Sequence, residues 1–161
     1  PINRRDTDIN SRCLQYILDN IEGKTILDAA CGRGYLMQRI HQLYSDVVVV
    51  GTDLVLPDDA DQNFIRADIR QLPFKDNSFD TVICTHALEH IREYRQAIDE
   101  LVRITAKRLI IVVPRQREYK YTPDLHVNFI PYMYRFKEFI NIPEGRYMEI
   151  GRDFLCVIDF K

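Results

Sequence analysis

Two glycines, Gly32 and Gly34, stand either side of one arginine in "ILDAACGRGYL" (residues 26–36), between an apolar run and a helical pattern. A strand that turns at once into a helix aims its first N–H groups, and the helix's partial positive charge, beyond the strand's end. Glycine there lets a ligand reach the backbone without meeting a Cβ, although the same pair also serves a plain tight turn. Asp28 lies just before the turn, where it either braces the loop or faces a ligand. Asp53 ends "VVVVGTD" about 20 positions after Gly34, the spacing at which a carboxylate meets a ribose in dinucleotide-binding folds. Two such groups at the carboxyl ends of adjacent parallel strands point to an adenosine-containing cofactor. Met37 occupies the place of the third glycine of G-x-G-x-x-G, and no G-x-x-x-x-G-K-[ST] occurs. A cofactor without phosphates therefore fits better than a dinucleotide or a nucleotide triphosphate.

Histidine is the side chain whose ordinary pKa suits proton removal from a phenol, enol or amine near neutral pH. Of the four, His41 falls within a helical stretch and reads as surface or structural. His90, in "ALEHI", reads as a brace for its segment ahead of a catalytic group. His86, at the end of "FDTVICT", and His126, in "DLHVNFI", are the candidates for contact with an acceptor, as bases or as positioning groups. Each has a plain alternative, for His126 the pinning of a loop to the sheet. The cysteines show no CxxC spacing and no metal is expected.

The elements that must place these residues alternate along the chain. Apolar residues from Thr7 to Ile21 recur at helical spacing up to Gly23. Strand "TILDAA", helix "YLMQRIHQLY" and strand "VVVVGTD" follow, then strands "NFIRAD" and "FDTVICT", helix "YRQAIDELVRIT" and strand "RLIIVVP". That order predicts an α/β, Rossmann-like doubly wound sheet, mostly parallel, with helices on both faces. Beyond Pro114 the chain becomes aromatic, with a short helix expected near Tyr132–Ile140. Tyr119, Tyr121, Phe129, Tyr132 and Tyr134 are candidates for a pocket wall or a small loop core; Arg115, Arg117 and Lys120 could meet an acidic acceptor or form a solvated face. "RYMEI", "GRD" and "FLCVIDF" predict a closing antiparallel hairpin.

The 161 residues suit a single domain spanning 1–161, and 46% hydrophobic with 29% charged residues is ordinary for a globular chain. A net charge of −2 gives no electrostatic reason for nucleic acid or an anionic membrane as partner. Cys31, Cys84 and Cys156 read as buried, and the cysteine usage suits a reducing, cytoplasmic setting. No run reaches membrane-spanning length, and "PINRRDTDIN" lacks the apolar core of a signal peptide. The first residue is Pro1, which leaves a preceding segment open.

"ILDAACGRGYL" resembles the first motif of class I S-adenosylmethionine (SAM) dependent methyltransferases, with Ala30 where many members carry another glycine. "VVVVGTD" resembles their second motif. "FIRADIRQLPFKDNSFDTVICTHALEHI" is similar to the middle stretch of the small-molecule, ubiquinone and menaquinone methylase-like (type 11) group. The resemblance covers about residues 24 to 114 and implies the seven-stranded methyltransferase fold, with SAM as methyl donor and S-adenosylhomocysteine (SAH) as product. It implies that Asp28, Ala30, Cys31, Gly32 and Gly34 hold the methionine end and that Asp53 binds both ribose hydroxyls. Leu54 and Ile69 would cover adenine faces, Asp68 would take the adenine amino group, and Thr85 and His86 would border the reactive methyl. The chain departs from the family in "TAKRL", where a Pro-Gly-Gly-like turn is usual.

The implied activity is methyl transfer to an O, N or C nucleophile of a small or carrier-bound metabolite. The alternatives are a noncatalytic SAM-binding partner subunit, and a protein or nucleic-acid methyltransferase. The second is lowered by the absence of an N-P-P-[YF] tetrapeptide, with "CTHALEHI" in its place. An oxidoreductase or aminopropyltransferase on a related fold agrees less well with the middle stretch. Oligomeric state and acceptor have no sequence signal.

Overall fold

The computed structural model describes residues 9–117 and 125–161. Thr7 and the candidate wall and charge residues Tyr119, Lys120 and Tyr121 lie outside them. Seven strands run β1 (Thr25–Ala29), β2 (Val48–Asp53), β3 (Phe64–Arg66), β4 (Phe79–Thr85), β5 (Thr105–Pro114), β6 (Arg146–Ile150) and β7 (Asp153–Asp159). Their order across the sheet is 3-2-1-4-5-7-6, parallel from β3 through β5, with β7 inserted antiparallel between β5 and β6. The expected sheet and its reversed ending are both present.

Strand residues sort by alternation, because successive side chains leave opposite faces. On β5, Leu109, Ile111 and Val113 join α3 (Tyr94–Ile104) and α4 (Met133–Ile140) in one buried cluster. Ile110 and Val112 point the other way, into a second cluster with α1 (Ser11–Asp19) and α2 (Tyr35–Leu43). Such strands cannot be turned to water, since each buried Ile, Leu or Val contributes roughly 1.5–3 kcal/mol. The two faces fix the register, and with it the row of strand ends that builds the site.

Three local details differ from expectation. The first helix begins at Ser11 because Asn10 caps it, its side chain accepting from the Cys13 N–H at 2.9 Å. Between α3 and β5 no loop intervenes: the helix passes into the strand at Thr105, whose hydroxyl donates back to the Leu101 carbonyl. The usual glycine turn is thus replaced by a direct junction. Among the cysteines, Cys13, Cys84 and Cys156 are buried, whereas Cys31, expected inside, is half-buried at the glycine turn; all four are free thiols.

Candidate active site

β1 ends at Ala29, and the chain then passes through Ala30 (φ 58°), Gly32 (φ 54°) and Gly34 (φ 76°) into α2. The two glycines serve different ends. A Cβ on Gly34 would lie 2.5 Å from the Phe64 ring, so packing excludes one. Among the described residues, a Cβ on Gly32 would meet nothing within 4 Å. The space beyond Gly32 is a cavity, which is the arrangement a closely approaching ligand requires. Close contact between helix and strand, the role of the missing third glycine, is supplied instead from β2: a Cβ on Gly51 would lie 2.3 Å from Met37 Sδ.

Asp53 closes the loop onto the next strand. Its Oδ2 accepts from Gly32 N–H at 2.8 Å and its Oδ1 from Val55 N–H at 3.2 Å, while Cys31 N–H donates to the Thr52 carbonyl at 2.9 Å. Asp28 is buried beside it. Burial first, and the Asp53 charge second, push the Asp28 carboxyl up to about 8. The same surroundings push the Cys31 thiol up to about 12, mainly through burial.

A cavity of about 340 Å³ opens over these strand ends. Ala30, Gly32, Asp53 and Leu54 form one side; Ile69, His86 and His90 are among the residues opposite. Leu54 is 61% exposed at its rim and so is no core residue, while Ile69 is buried. Asp68 starts a turn and gives both oxygens to Arg70, with Nη2 at 2.7 Å; this pairing holds its carboxyl below the usual range. Thr85 ends β4, half-buried. Asp28, Cys31, Gly34, Asp68 and Thr85 surround the cavity without lining it.

The histidines meet on the far side. His86 has φ 51° and its N–H donates to the Val112 carbonyl, which turns the ring into the cavity wall. Its Nε2 lies 3.0 Å from Oδ1 of buried Asp153, the first residue of β7. His90 closes a 3₁₀ turn over Leu88–His90. The segment around His126 docks on that turn: Val127 and Asn128 N–H donate to the Glu89 carbonyl, and Asn128 Nδ2 donates to the carbonyls of Leu88 and Ile91. The rings of His90 and His126 thereby meet edge to face at 4.5 Å. His41 is exposed on α2. Of the aromatic wall, Phe129 lines a separate cavity with Tyr94 and Phe139, while Tyr132 and Tyr134 stack on each other at the surface.

Sequence reasoning missed Asp153 and Glu89. Asp153 reads as an ordinary hairpin-turn residue, and its pairing with His86 arises only when β7 inserts beside β5. Glu89 stands next to a histidine in an amphipathic-looking stretch, with no signal that its side chain is buried.

A doubly wound sheet with β7 reversed, a glycine turn after β1 and a carboxylate at the end of β2 define the class I methyltransferase architecture. Residues 27–113 match the family described as "Methyltransferase domain", and the chain belongs to this SAM-dependent methyltransferase family. It is 32% identical over 105 residues to the uncharacterized protein MJ0638 of Methanocaldococcus jannaschii, covering 62% of this chain and 46% of that one. It is 32% identical over 90 residues to the demethylmenaquinone methyltransferase of Renibacterium salmoninarum, covering 53% and 38%. The chain thus spans less than half the length of these curated relatives. The fold is also that of the magnesium protoporphyrin IX methyltransferase of Synechocystis PCC 6803, solved with bound SAH: TM-score 0.66 and 17% identity over 98% of this chain and 90% of that one. Among the described residues, no helix is long and apolar enough to cross a membrane.

SAM is the cofactor of this family, and the residues here fit it. The open space at Gly32 admits a ligand to the backbone, and two neighbouring carboxylates, one kept protonated first by burial and then by the other's charge, suit a ligand carrying positive charge.

Proposed function

We propose that this chain transfers the methyl group of SAM, by in-line displacement, to an O, N or C nucleophile of a small or carrier-bound metabolite in the cytoplasm, using one domain. The observation that carries the reading is the cavity over Gly32 and Asp53, formed where the glycine turn leaves room that no atom of the described residues uses. In this reading Asp28 and the loop from Ala30 through Cys31 and Gly32 to Gly34 hold the methionine end, and Asp53 binds the ribose hydroxyls. Leu54 and Ile69 close on the adenine. Asp68 reaches the adenine amino group when Arg70 yields an oxygen, and Thr85 borders the methyl.

Bound SAM supplies a methyl group already activated by the sulfonium. The chain's own work is to hold the acceptor in line and keep water away, which in favourable cases is worth roughly 7–11 kcal/mol. His86 is the candidate base. Asp153 Oδ1 lies 3.0 Å from its Nε2 and holds the ring at the cavity wall. His126 contacts the acceptor from the other side. Arg115, Arg117 and Arg152 line a 460 Å³ cavity past β5, with Arg115 also paired to Glu149 at 2.7 Å, and they suit an acceptor carrying an acidic group. An open cleft of this kind accords with a bulky or carrier-bound acceptor.

Calorimetric titration with SAM, SAH and NAD tests the reading. Binding of the first two without the third is expected. Binding of NAD alone, or of none at millimolar concentration, would sink it.

A further inference from the structure

Three ligand-type side chains converge beside the cofactor cavity. One carboxylate oxygen of Glu89 and one ring nitrogen each of His90 and His126 lie within 4.8 Å of one another. Glu89 is 2% exposed, and among the described residues its Oε2 has no hydrogen-bond partner. A buried carboxylate oxygen without a donor costs free energy unless it is protonated or met by a cation.

His90 is oriented as a ligand is. His90 Nδ1 faces the Leu125 carbonyl at 3.4 Å, and His126 Nδ1 faces Gln116 Oε1. The Leu125 carbonyl accepts, which puts the proton of His90 on Nδ1 and its lone pair on Nε2. His90 Nε2 is the atom that lies 4.0 Å from Glu89 Oε1. A metal-bound histidine commonly donates its other ring N–H to a carbonyl in this way, fixing tautomer and ring direction. The backbone supports the cluster as well, since Val127 and Asn128 are bonded to the carbonyl of Glu89 itself.

We infer that Glu89, His90 and His126 bind one divalent transition-metal cation on the acceptor side of the cofactor cavity. Two imidazoles and one carboxylate suit zinc, manganese, iron or cobalt better than magnesium or calcium, which prefer all-oxygen sites. His90 also lines the cavity, so the cation's remaining positions face the region where the acceptor must lie. There it binds an acceptor hydroxyl or carboxylate and, for a hydroxyl, eases loss of the proton. That proton passes to His86 or water, the oxygen's electron pair forms the new bond to the methyl carbon, and the pair of the broken S–CH₃ bond stays on sulfur as SAH. This chemical role rests on the methyltransferase reading; the binding of the cation does not.

The test is titration of chelator-stripped protein with Co²⁺, read by visible absorption, with SAM titrated in parallel. One Co²⁺ per chain is expected, displaced by Zn²⁺. The uptake is expected to fall at least tenfold in Glu89→Gln and in His126→Ala, with near-UV circular dichroism and SAM affinity retained. No uptake, or equal uptake in folded Glu89→Gln and His126→Ala, overturns the inference. Co²⁺ uptake without SAM binding would leave the cation site standing and remove the methyltransferase reading; SAM binding without Co²⁺ would do the reverse.

Discussion

His86 Nε2 and Asp153 Oδ1 lie 3.0 Å apart, joining the end of β4 to the start of β7 across 67 positions of chain. The carboxylate holds the ring against the cavity wall. If His86 removes the acceptor's proton, His86→Gln lowers kcat by about 10²–10⁴, with SAM affinity within a factor of two or so of the parent. Asp153→Asn weakens the contact that holds the ring and lowers kcat in the same direction, by less. Unchanged single-turnover rates in both would make the pair a strut and nothing more.

Asp28 makes cofactor binding proton-linked. With its carboxyl near 8 beside Asp53, most of it is protonated at pH 7, and a cationic ligand favours the ionised form. SAM binding at pH 7 should release up to about one proton per chain, seen as dependence of the calorimetric heat on the buffer's ionisation enthalpy. Asp28→Asn abolishes that dependence. SAH, lacking the sulfonium charge, releases less.

The same group shapes stability. The folded chain keeps a proton on Asp28 that the unfolded chain releases near 3.8, so the group favours folding at acid pH and that contribution is lost as pH rises toward 8. Thermal unfolding of Asp28→Asn should converge with the parent near pH 4 and exceed it by several degrees at pH 8. A uniform offset across that range would contradict this origin.

Gly32 and Gly34 should respond differently to alanine. Gly34→Ala combines left-handed strain with a collision at Phe64 and is expected to cost about 2–4 kcal/mol, measured by urea unfolding. Gly32→Ala adds strain alone, about 1–2 kcal/mol, but places a methyl in the cavity. It should remain folded while SAM affinity falls at least tenfold.

Ala30 already bears the left-handed strain, at φ 58°. The strain costs an L residue roughly 1–2 kcal/mol, and about 0.4–1 of that is offset by glycine's freer unfolded chain. Ala30→Gly should therefore raise Tm by about 1–3 °C, checked by calorimetry.

The sheet was legible because the continuous apolar run Leu109–Val113 and the β-branched run before Gly51 admit few placements other than strands buried on both faces. The glycine turn and Asp53 could be read because spacing along the chain carries their geometry. Asp68 was harder: Arg70 claims its carboxylate from two residues away, a competition that no spacing rule weighs. His90 and His126 were each singled out, yet their meeting at 4.5 Å depends on how residues 125–128 dock on the 3₁₀ turn. The partner of His86 and the burial of Glu89 are likewise products of strand insertion and loop docking. They are long-range events with no local trace.

Asp153 also receives two hydrogen bonds from Asn10, so one carboxylate joins residues 143 positions apart. The first helix cap, the hairpin turn and the histidine at the site therefore mature together, and only after β7 has been synthesised and inserted. During translation β5 waits with an unpaired edge, a liability for association with other chains. The insertion of β7 is thus both the completion of the histidine's setting and the seal on the edge of β5.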